Sequence, residues 1–506
     1  MLPWSVYIMS VAQFVLIGNW ILEGNFRNKF NIIKKRKSIL AFISIILVHF
    51  IWIFNTNDIN YALHDIQIKI PILVLCLIIG TTPLLSKKEF HLILNFFIAS
   101  IFVSSLLSIA VYLGLTKFEY TGYRSLSVFV SHIRFSLMIV MAIVISSYFT
   151  KFSKSIFTII YIILIIWLSL FLFFLQSYTG IIIFGIVSLI ATILLIINLK
   201  NLIIKLSILL SFIILITVSI IWFNNSINKI NKTNNIDITN LDKYTINNNT
   251  YLNDTVETMT ENGTLVTIYI NNYELQKEWK KRSKLPYNGL DNKGNSLKFT
   301  LYRYMASKGL RKDSLGFSKL TTNDITNIEN GMPNYLFENK LSLYVILYKL
   351  VWEIESTKHK QNINDKSLLQ RFEYFKIGKQ IFIDNILLGV GTGDIQQKFD
   401  EYYIKTNSEL TLKNRHRTHN QFLTFLITFG VLGFAIIMFG FIYPLFFEKH
   451  KEKLLLSFFL IIAFLSFLDE DTLETQAGIT FFTFFYVLLV FAYKKQISTE
   501  MFINKP

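Results

Sequence analysis

Cysteine is almost missing from this chain. Its 506 residues include one, Cys76, so no intrachain disulfide forms and packing alone must hold the fold. Cys76 lies inside an apolar run and reads as a small buried hydrophobe. Acidic residues are scarce as well, 33 against 50 Lys and Arg, for a formal charge of +17. Nucleotide and metal signatures are lacking too. There is no Gly-Lys-Ser phosphate loop, no GxSxG elbow and no dinucleotide fingerprint, and HRTH lacks the Glu of a zincin helix. No metal or cofactor is expected, and the energy for any reaction must arrive with the substrate. Nor does the first apolar run carry the basic flank and small-residue cleavage site of a removable signal.

What the chain has in excess is apolar side chain: 52% of residues are hydrophobic, mean hydropathy is +0.46, and 47 residues are Phe. That composition belongs to a polytopic membrane protein. The positive charge then finds a topological cause in place of a nucleic-acid one. Arg27, Lys29, Lys34, Lys35, Arg36 and Lys37 lie between apolar runs, as do Lys87 with Lys88, Lys151 with Lys154, Lys200 with Lys205, and Lys449, Lys451 and Lys453. Apolar windows fall near 3–23, 39–55, 69–85, 91–114, 131–149, 156–175, 180–199, 204–223, 421–447, 454–469 and 477–493. Alternating these spans puts every basic loop on one side, the inner one, together with Lys494 and Lys495. The expectation is an all-α membrane protein of eleven to twelve spans with a large outer α+β insert. Helices one to eight fill 1–223, the insert 224–420, and helices nine to eleven 421–506.

Short outer loops are expected near 56–68, 115–130 and Gln176–Gly180. Within the insert, an Asn-rich opening reads as a tether, and TVETMTENGTLVTIYI alternates around Asn262-Gly263 as a hairpin does. Helical periodicity covers Leu301–Leu310, Leu341–Glu355 and a segment from Ser367, its N-cap, to Asp384. Arg371, Tyr374 and Gly378 or Lys379 share one face of that last helix. The GVGTGD turn that follows, with Gly389, Gly391 and Gly393, fits either a phosphate cradle or a turn that needs positive φ.

Chemistry concentrates at the mouth of the ninth span. His419 lies beside Arg415 and Arg417, and such cations favour the neutral imidazole that a general base needs. His416 competes for that role, and a boundary histidine with no role is the bland alternative. Arg371, Arg415 and Arg417 are either solvated charges or forks for a pyrophosphate. Arg124, and Arg134 beside His132, add cation on the same outer side, Arg134 at the membrane edge. The loop LDEDTLETQAG carries Asp469, Glu470, Asp471 and Glu474. It reads either as a solvated acidic turn or as the source of a carboxylate, Glu474 foremost, that orients an Arg or the histidine.

These stretches resemble the bacterial O-antigen ligase and O-antigen polymerase superfamily. The resemblance rests on the late outer insert, on GVGTGD, and on HNQFLTFLITFGVLGF, where His419 and Gly430 match the family's spacing. EWKKRS, KFTLYRYMASKGLRKDSLGFSKL, RFEYFKIGKQIFIDNILLGVGTGD and ETQAG look like a Bacteroidetes subgroup. The resemblance implies a metal-independent, inverting glycosyltransferase of the inner membrane, working on the periplasmic side. Its donor would be a glycan on undecaprenyl pyrophosphate, and its acceptor a sugar hydroxyl on lipid A–core, on another glycan or on protein. His419 takes the place of the family's essential His, Asn420 helping to hold its ring, and Arg371 that of the insert Arg. One departure stands out: the family's Arg in the short outer loop is absent from Ser177–Gly180, leaving Arg124 or Arg134 to supply it, or a different mode of donor binding. Ligase and polymerase share these residues. A transporter of lipid-linked glycans would instead show internal repeats and charge at mid-membrane.

Overall fold

The computed structural model describes residues 2–120, 122–153, 156–232, 240–256, 259–339, 342–355, 364 and 367–493. Lys154, Lys494 and Lys495 lie outside the described residues. In chain order the helices are α1 Val6–Leu22, α2 Phe26–Lys35, α3 Lys37–Ile51, α4 Ile59–Thr81, α5 Lys87–Tyr112, α6 His132–Thr150, α7 Ile156–Phe174, α8 Tyr178–Asn198 and α9 Leu202–Asn231. A hairpin follows, β1 Thr260–Glu261 and β2 Thr264–Leu265. Then come α10 Asn272–Arg282, α11 Leu297–Ser307, α12 Ser314–Ser318, α13 Thr322–Glu329, α14 Leu343–Glu355, α15 Ser367–Asp384, α16 Ile395–Lys405, α17 Gln421–Phe447, α18 Lys453–Asp469 and α19 Gln476–Val487.

The chain is a mostly helical, multi-pass membrane protein. Eight of the described helices are long and apolar enough to cross a bilayer, or nine if α1 and α2, bent by 108° to each other, count as one span. α18, with 17 residues, and the apolar helix Gln476–Ala492 are shorter. All eleven expected segments are therefore helical. One boundary moves. α4 begins at Ile59, capped by Asp58, so most of the expected 56–68 loop is helix. Asp65 and Lys69 pair at 2.8 Å one turn apart, and that pairing lets both charges enter an apolar span.

The contacts divide the chain into two compact units, 1–198 with 370–506, and 199–369. This division by packing differs from one by membrane side, so the 224 and 420 boundaries address a separate question. In the first unit the phenylalanines do the packing. Phe42 of α3 stacks on Tyr486 of α19 at 4.6 Å, and Phe459, Phe481, Phe482 and Phe485 interlock around them. Lipid offers no hydrophobic drive for such association, so close contact must supply it. At Gly440 a β-carbon would sit 2.7 Å from the Ala41 carbonyl, so α17 and α3 meet backbone to backbone. Arg36 ties the inner helix ends together. It forks onto Glu448 at 2.8 and 3.2 Å and donates to the Gly80 and Phe491 carbonyls.

The second unit has its own core of Trp279, Leu297, Leu301, Tyr304, Met305, Phe317 and Ile328. Its described strands are the two-residue arms of the hairpin, paired Thr260 to Leu265 and Glu261 to Thr264. Asn262 and Gly263 take φ of 47° and 81°, the left-handed pair a tight hairpin turn needs. The regular structure described in the insert is thus mainly helical, with one short hairpin. Backbone groups beyond the turn pair as isolated bridges, such as Leu252 with Ile270, and no wider sheet is described.

Candidate active site

Glu470 is the centre of the site. It follows the last residue of α18 and is 2% exposed. Its Oε1 accepts a 2.8 Å hydrogen bond from Arg371 Nη2 of α15, and its Oε2 accepts one of 3.1 Å from Arg134 Nη1 of α6. The same Oε2 lies 3.6 Å from His419 Nδ1. That exceeds a full hydrogen bond, and Nδ1 is otherwise buried without a partner. Burial opposes ionisation of Glu470. The His419 contact and the two arginines outweigh it and hold the carboxyl below its usual range.

Each neighbour is held in turn. Arg371 also donates to Asp469, through both its carboxylate and its carbonyl. Arg134 Nη2 donates to the Asp471 carbonyl at 3.0 Å. Tyr374, one turn after Arg371, sets its ring 5.6 Å from that of His419. Gly378, a further turn on, leaves no room for a β-carbon, which would meet Thr418 Cγ2 at 2.5 Å. The face of α15 that carries Arg371, Tyr374 and Gly378 is therefore pressed onto the loop holding His419. There His419 adopts φ of 49°, a left-handed conformation that costs a non-glycine residue about 1–3 kcal/mol and concentrates at functional sites.

Just beyond, α17 breaks. Gly430, at φ 63° and ψ −171°, interrupts the helix, and the 386–391 segment runs against the break. Val390 and Gly391 donate to the Ile427 and Thr428 carbonyls at 2.9 Å each, and Val431 donates back to Ile386 at 2.8 Å. A β-carbon at Gly389 would lie 2.5 Å from the Gly430 nitrogen. The GVGTGD turn is thus a clamp on the kink, and its Gly389, Val390, Gly391 and Gly393 N–H groups all have protein acceptors. They do not cradle an anion.

Residues 334–438 match the family model described as O-antigen ligase. That segment belongs to the O-antigen ligase and polymerase superfamily. The O-antigen ligase match takes in Arg371, the glycine turn, His419 and Gly430, and stops before Glu470. No curated protein matches the chain. The match supports an enzyme of the general O-antigen ligase or polymerase type.

The structure joins some of the expected residues and separates others. Arg134, Arg371 and His419 converge on Glu470. Arg417 does not face the histidine. It lies 3.7 Å from Glu474 and packs over Tyr61. Arg415 donates to the Leu410 carbonyl and packs over Tyr403. The charge that meets His419 is consequently a carboxylate, and the flanking cations turn to their own partners. Arg124 is exposed and sits over Tyr123. Asn420 caps α17 through Leu423 N and donates to the Leu468 carbonyl, so it fixes the helix start and does not hold the ring. His416 is exposed, its ring 6.2 Å from that of His419.

Glu474 does orient an Arg, at a second centre. It accepts from Lys69 and from Gln421 at 2.8 Å each, besides meeting Arg417. Burial opposes its ionisation, and Lys69 and Arg417 overcome that and hold it ionised. Gln421 also accepts from Leu473 N at 2.7 Å, so this cluster pins the loop that presents Glu470. Sequence reasoning missed Lys69, Asp65 and the central place of Glu470. Most of the expected loop Ser177–Gly180 is the first turn of α8, whose Thr179 donates to the Asp469 carboxylate, next to Arg371.

Proposed function

We propose that this O-antigen ligase-type enzyme moves a glycan from undecaprenyl pyrophosphate to a sugar hydroxyl, with inversion and without a metal, at the periplasmic face of the bacterial inner membrane. One observation carries the reading: a single buried carboxylate, Glu470, joins the candidate base His419 to two guanidinium groups. His419, through Nε2, takes the proton from the acceptor hydroxyl as that oxygen bonds to the sugar's anomeric carbon. Glu470 steadies the ring through Nδ1 and stabilises the imidazolium that results. The bond from the anomeric carbon to the pyrophosphate oxygen breaks on the opposite face. Arg371 and Arg134 neutralise the charge that collects on the leaving group.

Arg134 thereby takes the part of the arginine missing from Ser177–Gly180. Before donor binds, Asp469 and Glu470 hold Arg371, and pyrophosphate oxygens replace Asp469 on one edge of the fork. The periplasmic placement draws support from α18. Its first residue, Lys453, belongs to the basic cluster, and its last, Asp469, touches Arg371, so cations and site sit at opposite ends of one helix. An impermeant thiol reagent that labels Lys451→Cys in intact cells would reverse this orientation.

The decisive experiment is reconstitution with an undecaprenyl-pyrophosphate glycan and separate acceptors, lipid A–core or a second glycan, followed by mass analysis. A product with lipid A–core identifies a ligase, and a lengthened glycan identifies a polymerase. An intact donor with every acceptor overturns the reading.

A further inference from the structure

The chain turns sharply between its first two helices. Gly24 and Asn25 both adopt positive φ, 64° and 54°, and α2 is bent by 108° from α1. Lys29 locks the turn. It is buried, its Nζ donates to the Trp20 carbonyl at 2.7 Å and meets Glu23 at 2.9 Å, and it lies over the Trp20 ring. Trp20 in turn donates to Thr81, the last residue of α4. α2 therefore crosses the end of the bundle where α4 stops and Arg36 binds the Gly80 carbonyl. Its Ile32 and Ile33 pack inward against the core. Phe26 and Phe30, one turn apart, stay half exposed on the adjoining face. Arg27, Lys34 and Lys35 are exposed as well, and Lys34 Nζ lies 4.6 Å from the centre of the Phe30 ring. Between Glu23, which Lys29 already holds, and Asp58 the chain has no acid.

We propose that α2 is an interfacial helix that binds anionic phospholipid at this end of the bundle. Phe26 and Phe30 enter the first acyl carbons, and Arg27, Lys34 and Lys35 pair with headgroup phosphates beside them. A helix stays in the membrane plane when a narrow apolar face adjoins a cationic one and the whole is too polar to cross. α2 meets each condition, with four apolar residues in ten and its cations next to its phenylalanines. Water alone would leave two aromatic rings and three charges exposed side by side. A zwitterionic headgroup offers a phosphate but carries its own cation. Three basic side chains with no acid near them in the chain therefore favour a lipid of net negative charge. Such binding needs no glycan transfer and holds for either membrane face.

The test uses the full-length protein with a photoreactive benzophenone side chain at Asn31, an exposed residue that shares a face with Arg27 and Lys34. It is reconstituted in nanodiscs of phosphatidylglycerol and phosphatidylcholine in equal parts, each radiolabelled in turn, and irradiated. With α2 otherwise unaltered, phosphatidylglycerol should crosslink at least about fivefold more than phosphatidylcholine. Arg27→Gln, Lys34→Gln and Lys35→Gln combined should bring the two yields level. High salt should do the same by screening, and it decides the matter if the triple variant fails to insert. Phe26→Ser with Phe30→Ser should lower both yields by at least about threefold. Equal yields from the two lipids in the unaltered helix overturn the proposal, as does a preference that survives the substitutions or high salt. Lipid yields unchanged by loss of both phenylalanines overturn it too. So does a crosslink to protein in place of lipid, which would give the face to a partner chain.

Discussion

Arg371 and Arg134 donate to opposite oxygens of one carboxylate, that of Glu470. One arginine comes from the segment before the ninth span and the other from the start of α6, so a single acidic side chain registers two distant parts of the first unit. The oxygen that meets Arg134 is also the one beside His419. Any change at Glu470 should therefore be read in both catalysis and stability.

Glu470→Gln keeps the shape and removes the charge. Without the carboxylate the imidazolium loses its stabilising partner, and kcat should fall by roughly 10²-fold or more. Arg134 is left buried without its counter-charge, a loss of about 3–5 kcal/mol when such a pair is broken. Turnover per folded molecule, measured beside thermal unfolding in detergent, separates the two effects. Full turnover in the folded fraction would remove Glu470 from the reaction.

Arg371→Lys retains charge and loses the fork that now spans Asp469 and Glu470. KM for the lipid-linked donor should rise, each lost charge-assisted hydrogen bond being worth about 1.5–3 kcal/mol. Asp469→Asn should act in the other direction. Asp469 is half exposed and competes with an incoming anion for Arg371, so its neutralisation lowers donor KM. If both variants moved KM the same way, pyrophosphate would not be the ligand of Arg371.

His419, Arg371 and the glycine turn were legible in the sequence because their signals are local. A histidine at a span boundary, a helical face and a glycine run each appear within a few residues. Glu470 was harder to single out. It is one of four acids in a six-residue stretch, Asp469 to Glu474, and which of them turns inward depends on how α18 ends. Asp65 and Lys69 were hidden by hydropathy itself, which starts the expected span at Lys69 and leaves Asp65 outside it. Only their pairing, invisible in a hydropathy window, allows α4 to begin ten residues earlier. Arg36, counted among the inner charges, proved to be a partly buried lock on Glu448.

Solubilised protein should lose stability in acid partly through Glu470. Its folded pKa lies below the unfolded value of about 4.3, so its contribution is complete above that pH and is lost as pH falls through the folded pKa. Asp471 works with the opposite sign. Burial raises its carboxyl, so acid relieves a penalty there. The melting temperature of Glu470→Gln should start lower at pH 7 and approach that of the wild type in acid. Parallel curves would show that Glu470 is not linked to folding.

Arg36→Ala should destabilise without touching chemistry. It removes the Arg36 fork from Glu448, 8% exposed, and frees the Gly80 and Phe491 carbonyls, for a loss of about 3–5 kcal/mol. Adding Glu448→Ala should recover part of that loss, because the second change removes the buried carboxylate that the Arg36 fork had stabilised. Turnover per folded molecule should match the wild type in both. A double variant no better than the single one would place the cost in the freed carbonyls.

His419 is the residue on which the catalytic reading stands. It is one-third exposed at its side chain, contributes little packing, and sits in a left-handed conformation next to Thr418, which lies close against Gly378. His419→Ala should remain inserted and folded, still bind the donor, and lose transfer by roughly 10²–10⁴-fold, the span of general-base contributions. His419→Gln should fail equally, since an amide can accept a hydrogen bond from the acceptor hydroxyl but cannot take its proton. His419→Asn deserves a separate expectation. Asn tolerates left-handed φ better than most residues, so it should relieve strain and raise the melting temperature while leaving the enzyme inactive. A variant both more stable and inactive would identify the strain as serving function. Near-normal turnover in His419→Gln would move the search for a base to Asp471, whose carboxyl burial pushes up from its ordinary value, or to an attack that needs none.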